Sequence, residues 1–518
     1  MKKLLVALVV LIIAISLTFT GCKRDAASSG PTQLTVEIFD RGTDGGRSLA
    51  QDNAWTNWIK EKVLKDLNIE VTFIPVGRWS ETTDIVNLMA SASAPDLCYT
   101  YAGDMIATFR DQGGIMDLSP YINSHLPDLK KLLGEDPAFP GQDFIVRNAD
   151  PDTGRIYSIP SFRVALAQRN VFIRKDWLDR LGIAVPTSVQ EFYNALVAFR
   201  DRDPGNVGRN RIVPYFQGSD VRWGLADIMN HYITANLSDR DRWVNNIAER
   251  NILMPGYKEG VRLMNQWYNE RLIYQDFPLM TVADDGNNLL KSGIAGAFSG
   301  NWDMPYRTDY KINEELARNV PGAEFVPVFL NLNNKDIMDK VGLQIFIPSF
   351  SKNYEGALRY LNWLAIPENY QFLQIGQEGV NHTIVNGVPS IVARPANDPW
   401  FQNSAQNIDY TMPMNGVEMG STTLNARVLA LSYGDIPSAT IENAYAIAIR
   451  NGRAPVVRQV TTRITQYSQT LQDKADALLS QAIIAPIANF DRIWDAGVAD
   501  WRTSGGQEVY NERASLWR

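Results

Sequence analysis

Cysteine and histidine are scarce: the 518 residues hold two of the first and three of the second. Two thiols, Cys22 and Cys98, cannot build a disulfide framework or a cysteine-based zinc site. His125, His231 and His382 stand far apart, and none belongs to an H-E-x-x-H pattern. No G-x-S-x-G elbow and no glycine-rich Walker loop occurs. Excess positive charge is lacking too. The 50 Lys+Arg against 57 Asp+Glu leave a net charge of -7, without the clustered basic surface of a nucleic-acid binder. The adjacent pair Asp284-Asp285 is a weak catalytic candidate, because sequence neighbours seldom face each other. A glycosidase needs two carboxylates brought together across a cleft, and folding could supply that from distant positions. A secreted carbohydrate-active enzyme therefore stays open as the alternative reading.

What is present starts at the N-terminus. Lys2 and Lys3 precede an apolar run from Leu4 to Leu17, the length of a signal-peptide core and short for a spanning helix. Phe19-Thr20-Gly21-Cys22 follows and resembles a bacterial lipobox, with Phe19 where leucine is usual. Residues 1–21 are expected to be a lipoprotein signal peptide, Cys22 the diacylated (palmitate-type) residue, and 22–31 a polar tether. This places the chain on the extracytoplasmic face of the cell membrane, lipid-anchored. Cys98 is then left without a partner and is expected as a small buried strand residue.

The remaining chain is too long for one simple core, so two or more lobes are expected. Thr32 to Phe39 alternates as a strand and runs into the glycine-rich loop 40–46. Trp55, Ile59, Val63 and Leu67 recur at helical spacing, with Asn68 as a stop. Ile69 to Val76 reads as a strand, about Thr83 to Ala92 as a helix, and Pro95 to Tyr101 as a strand. This β-α-β-α-β order predicts a parallel sheet whose ligands sit beyond the carboxyl ends of its strands. A short crossing strand at Ile156 to Pro160 precedes a second run of segments. These are strand Val171 to Ile173, helix Lys175 to Leu181, and helix Val189 to Arg200 opened by a Ser188/Glu191 capping box. Strand Ile212 to Phe216 and helix Tyr257 to Glu270 come next. Strands Ile294 to Phe298 and Val341 to Ile347 follow, then helix Tyr354 to Leu364 and long C-terminal helices.

The order of these segments resembles the extracellular solute-binding proteins of carbohydrate ABC importers, in particular their long oligosaccharide- or aldouronate-type lipoproteins. The likeness rests on residues 39–46, on Ala94-Pro95-Asp96-Leu97, on residues 174–182 with Pro186-Thr187, on residues 293–298, and on Ser504-Gly505-Gly506-Gln507. It implies an α/β fold of the type II periplasmic-binding-protein kind: two lobes joined by crossing hinge strands, with ligand between them and extra C-terminal helices. Residues 32–160 with about 299–340 are expected as the first lobe. Residues 161–298 with about 341–518 are expected as the second. The implied function is capture of an oligosaccharide and its delivery to ABC transporter permease subunits, by a monomer without a cofactor. A sensor could replace the permease as the partner without changing the sequence.

Sugars offer hydroxyls and faintly apolar C–H faces, so aromatic rings and charged or amide groups on strand-end loops are the candidates. They are Asp40, Arg41, Arg78, Trp79, Tyr99, Tyr101 and Asp104 from the first lobe, and Arg163 from the crossing region. Gln217, Trp223, Trp302, Asp303 and His382 come from the second. Arg41, Arg78 and Arg163 together could recognise an acidic sugar through its carboxylate. Relatives often carry a calcium loop of the D-x-D-G-N-G type. The corresponding stretch here, Asp203-Pro204-Gly205-Asn206-Val207-Gly208-Arg209-Asn210-Arg211, keeps Asp203 but places arginines where calcium needs oxygen ligands, so no metal is expected.

Overall fold

The computed structural model describes residues 30–41, 49–135, 144–150, 153–280, 283–307, 310–392, 398–400, 409–416, 419, 421–430, 433, 436–456 and 461–517. The signal peptide, Cys22, most of the tether and the glycine-rich loop 42–46 lie outside these residues.

The first sheet begins as the alternation dictates. Strand β1 (Thr32–Asp40) pairs in parallel, in register from Thr32↔Ile69 to Asp40↔Gly77, with β2 (Ile69–Gly77). The helix Ala54–Leu67 connects them, and it buries Trp55, Ile59 and Val63. Its start is fixed by Asn53, whose side chain accepts from Trp55 N and Thr56 N. Its end is Asn68 in the left-handed region at φ 54°. The next helix, Glu81–Ala90, starts two residues before the sequence suggests.

The third strand departs from a fully parallel sheet. β3 (Cys98–Thr100) shares with β1 a single isolated parallel bridge, Val36↔Leu97 just before the strand, and pairs antiparallel with β9 (Val341–Phe346). β9 in turn pairs antiparallel with β4 (Ile159–Arg163), to whose other side β12 (Met414–Asn415) adds in parallel. Strands from three distant parts of the chain thus close one sheet. Cys98 lies fully buried within it, as its sequence context predicts.

The second sheet carries β5 (Arg169–Arg174) between β6 (Ala297–Asn301) and β7 (Phe325–Val328), both antiparallel. Val213, Tyr215 and Phe216 extend it through isolated bridges in place of the strand expected at 212–216. Ser188 caps the helix Val189–Arg202 by accepting from Glu191 N at 3.2 Å. Glu191 reaches one residue further back than a capping box requires, to Thr187 N at 2.8 Å. Small pairings complete the strands: β8 (Lys335–Asp336) with β13 (Gly452–Arg453), and the hairpin of β10 (His382–Val385) with β11 (Val388–Ile391). The C-terminal helices Thr462–Ile484, Phe490–Trp501 and Gln507–Leu516 pack Leu471, Leu478, Trp494, Trp501 and Val509 against Trp267, Met264 and Val261.

Two lobes follow from the buried clusters. The first core runs from Leu34 to Val164, then takes Leu343 to Leu373 and Tyr410 to Met414. The second takes Val171 to Leu332 with the C-terminal helices, flanked by a satellite cluster of Phe172, Trp302, Tyr433 and Tyr445. The later crossings thus differ from expectation. Phe325, Val328 and Leu332 pack in the second lobe rather than the first, and Leu343, Ile345 and Trp363 in the first rather than the second. The physical reason is that β9 completes the sheet with β3 and β4. The long helix Tyr354–Leu364 after β9 then covers β1 and buries Tyr360 and Leu361 there.

A carboxyl lies deep within β1. Glu37, fully buried in β1, accepts from Tyr99 N at 3.0 Å. Burial pushes its pKa well up, against that hydrogen bond, with Glu81 and Asp409 adding to the rise. A folded pKa above the unfolded value of about 4.3 means stability present at low pH and lost as pH rises through the folded value. Glu37→Gln is therefore expected to melt above the wild type at pH 8. The gap should shrink toward pH 4.5 in thermal unfolding monitored by circular dichroism.

Candidate binding site

The strand order brings five of the candidates to one place. Phe39, near the end of β1, is fully buried and forms the centre. Tyr101, just beyond β3, stacks on it at 6.0 Å with 18° between the planes. The Arg78 guanidinium, just beyond β2, lies 4.4 Å from the Tyr101 ring centre, 5.3 Å from Phe39 and 5.2 Å from Trp79. Arg41, just beyond β1, lies 5.7 Å from Phe39. Arg163, the last residue of β4, approaches Tyr101 at 6.0 Å. Trp79 is 72% exposed and borders this cluster through Arg78. An exposed tryptophan beside stacked tyrosine and arginines offers the flat apolar faces and fixed donors that a polyhydroxylated ring requires.

Two of the arginines carry their own carboxylates. Arg41 binds Asp409 through both Nε and Nη2, the latter at 2.8 Å from Oδ1. Burial raises the pKa of Asp409, and the adjacent Arg41 and Arg78 oppose the rise. For Arg41 burial favours the neutral form, yet Asp409 outweighs it and the net direction is up, so the cation is held. Arg78 donates to Glu81 Oε2 at 3.0 Å. Glu81 Oε1 in turn accepts from Thr100 Oγ1 at 3.1 Å and Tyr101 N at 3.0 Å, which ties the end of β3 to this pair.

The seam between the lobes passes directly by Arg163. Its amide donates to Lys340 O at 2.6 Å, Val164 N to Asn415 O at 2.9 Å, and Met338 N to Leu166 O at 2.8 Å. The three crossing segments are thus bonded to one another where the chain leaves the first core. On the second-lobe side, Arg169 opens β5 and stacks on Trp223 at 4.7 Å, in the first turn of the helix Val221–Asn230. The buried Arg169 also binds Asp227 Oδ1 at 3.0 Å and Asp336 Oδ2 at 3.2 Å, and Asn230 donates to Asp336 at 2.8 Å. Burial pushes Asp336 up and pulls the neighbouring Lys335 down.

Other candidates serve the core. Tyr99 is fully buried, and its hydroxyl accepts from Phe39 N at 2.9 Å, because β3 turns its middle side chain inward. Gln217 is buried and donates to Gly218 O at 2.7 Å and Asp220 O at 2.9 Å. It closes the loop in which Asp220 caps the next helix by accepting from Trp223 N. Trp302 packs edge-on against Tyr445 at 5.4 Å, and Asp303 accepts from the Tyr433 hydroxyl at 2.5 Å, both in the satellite core. His382 is buried with Nδ1 3.0 Å from Ile375 O. Asp40 is exposed at the end of β1, and Asp104 lies in the first turn of the helix Gly103–Asp111. Phe39, Glu81, Arg169, Asp227 and Asp409 were missed. Asp409 lies 368 residues from Arg41, with no local pattern to mark the pairing.

The 203–211 loop does not fit calcium. Asp203 turns its carboxylate inward, accepting from Val207 N at 3.0 Å and Gly208 N at 2.8 Å. Arg211 Nε takes Val207 O at 2.9 Å and Arg180 takes Pro204 O at 2.7 Å. Internal donors occupy the oxygens a hard cation would need. Among the described residues, no group of three or more His, Cys, Asp or Glu could hold a metal. A surface depression lined by Arg463, Glu508, Asn511, Glu512 and Ser515 contains none of the candidates.

Comparison with known proteins gives the family of the chain and relatives of its fold. The family described as bacterial extracellular solute-binding protein matches residues 47–371. Lipoprotein LipO of Bacillus subtilis (strain 168) is 25% identical over 469 residues, 87% of this chain and 86% of LipO. The fructooligosaccharide ABC transporter substrate-binding protein FusA of Streptococcus pneumoniae serotype 4 is 25% identical over 205 residues, 36% of each chain. In fold, the chain is similar to the alginate-binding protein AlgQ2, solved without calcium ion. The TM-score is 0.63 at 17% identity, covering 94% of this chain and 98% of that one.

EDTA or added calcium is expected to leave the thermal midpoint unchanged. Asp203→Ala should cost about 1–3 kcal/mol by freeing two amides, measured by denaturant unfolding.

Proposed function

We propose, from the premise that the chain belongs to the bacterial extracellular solute-binding protein family, that it captures an oligosaccharide outside the cytoplasm. It presents this ligand to the permease subunits of an ABC importer. The observation that carries the carbohydrate reading is the exposed Trp79 beside the Arg78–Tyr101 stack, at the strand ends next to the crossing segments. The similarity to FusA supports the same ligand class.

Arg41, Arg78, Trp79 and Tyr101 form the first-lobe face of this site, Arg163 its hinge, and Trp223 with Arg169 its second-lobe face. Asp40 is proposed as an acceptor for sugar hydroxyls, and the Asp104 side chain lies outside the described residues. The pairing of Arg41 with Asp409 and of Arg78 with Glu81 fixes the guanidinium planes before ligand arrives, so less ordering is needed on binding. The lobes close about the crossing segments, because ligand touching both faces favours the closed form. Asp409 and Glu81 are each bonded to an arginine, which argues against their use as the acid and nucleophile of a glycosidase. Cys22, with the similarity to lipoprotein LipO, supports a lipid anchor on the outer side of the membrane. No described helix is long and apolar enough to cross one. The protein acts as a monomer.

Residues 24–518 should show a raised unfolding midpoint with one class of oligosaccharide, by mass action on the native state. Chromatography should recover that sugar intact. Trp79→Ala is expected to weaken binding about tenfold, about 1.4 kcal/mol, by calorimetric titration. A midpoint indifferent to every oligosaccharide would refute the carbohydrate reading, and cleavage of the sugar would replace it with an enzyme.

A further inference from the structure

Residues 333–336 are strapped to the second lobe at each step. Asn333 N donates to His231 Nδ1 at 3.0 Å. Asn334 Oδ1 accepts from Arg242 Nη2 at 2.6 Å, and its Nδ2 donates to Ile233 O at 2.7 Å. The buried Lys335 donates from Nζ to Ile447 O at 3.0 Å and Asn170 Oδ1 at 3.3 Å. Asp336 Oδ2 accepts from Asn230 Nδ2 at 2.8 Å and from Arg169 Nη2 at 3.2 Å. Both donors are buried, Arg169 at 4% and Asn230 at 2% exposed. Arg169 is also held by Asp227, whose Oδ1 accepts from its Nε at 3.1 Å. The strap therefore fixes Asp336 through one oxygen and leaves the other. Oδ1 has no hydrogen-bond partner among the described residues, and the Asp336 side chain is 45% exposed.

The place of this oxygen is specific. Met338, two residues further on, donates from its amide to Leu166 O at 2.8 Å, so Asp336 stands where a crossing segment meets the second lobe. The half-buried Trp223 shares Arg169 with it: the Trp223 ring centre lies 4.7 Å from the guanidinium carbon, while Asp336 takes Nη2. One buried guanidinium thus holds an aromatic ring and a carboxylate side by side, on the second-lobe side of the seam. We propose that Asp336 is a specificity-determining residue of the site, its Oδ1 accepting a hydroxyl of the sugar ring that lies on Trp223. This rests on the carbohydrate reading above and deepens it by naming the second-lobe group that reads a hydroxyl. A hydroxyl bound to a charged acceptor makes a stronger hydrogen bond than one bound to a neutral acceptor. The two buried donors order this acceptor before ligand arrives. An ionised carboxylate only accepts, so a ring whose hydroxyl is absent or blocked there leaves Oδ1 unfilled and is discriminated against. Ligand bound to Asp336 and to the first-lobe face at once makes contacts that the open form lacks, which favours closure.

The test begins with kestose, raffinose, maltotriose and trigalacturonate, each added to residues 24–518 in thermal unfolding. The trisaccharide with the largest shift is then titrated by calorimetry and co-crystallised with the wild type. A sugar hydroxyl oxygen is expected about 2.5–3.0 Å from Asp336 Oδ1. Asp336→Asn keeps the shape of the side chain and an oxygen for Arg169 and Asn230, and turns the free acceptor into a donor. It is expected to weaken binding of that trisaccharide about tenfold or more. The unliganded midpoint reports whether the variant folds, and the wild-type complex needs no variant. A complex in which no sugar hydroxyl reaches Asp336, or an Asp336→Asn protein that folds and binds as the wild type does, would overturn the assignment and leave the carbohydrate reading intact. A midpoint indifferent to these and all other oligosaccharides would overturn both.

Discussion

The structure depends on a small set of backbone hydrogen bonds between segments far apart in sequence. Arg163 N to Lys340 O, Val164 N to Asn415 O and Met338 N to Leu166 O bind the three crossing segments into one seam. Each segment leaves the first core just after a strand of its sheet or enters it just before one: β4, β9 and β12. The sheet therefore sets where the lobes meet, and the seam sets which strand ends face the gap between them. A change in register in β9 would move Tyr101, held through β3, and Arg163, held through β4, at once.

Around that seam the protein manages a high density of charge by pairing it. Buried and half-buried arginines meet carboxylates in fixed geometry, and two of the pairs hold a further group. Glu81 holds Arg78 and the end of β3 together, and Asp336 ties Arg169 to Asn230. Such pairs rigidify a site more surely than they stabilise a fold, since desolvation offsets much of their attraction. Rigid walls suit the proposed closure of one lobe on the other.

Much of the fold was legible because local signals were strong. The alternation of Leu34, Val36 and Ile38, the helical spacing of Trp55, Ile59 and Val63, and Asn68 at a helix end all correspond to observed elements. The antiparallel pairing of β3 with β9 was not legible, since nothing in a three-residue strand names a partner some 250 positions away. The later lobe crossings were misplaced for the same reason. Strand-end logic selected Arg78, Trp79, Tyr101 and Arg163, which the structure gathers around Phe39. It also drew in Tyr99, Gln217, Trp302, Asp303 and His382, because an aromatic or polar residue at a strand end looks the same in sequence whether it faces solvent or core. One residue separates Tyr101, stacked under Arg78, from Tyr99, locked to Phe39 N.

The central claim is that ligand is held between two lobes that close about the seam at Arg163. Small-angle X-ray scattering of residues 24–518, with and without the oligosaccharide that raises the unfolding midpoint, tests it most directly. The account predicts a smaller radius of gyration on saturation with ligand. An unchanged radius at full occupancy would contradict closure and place the ligand on a single lobe.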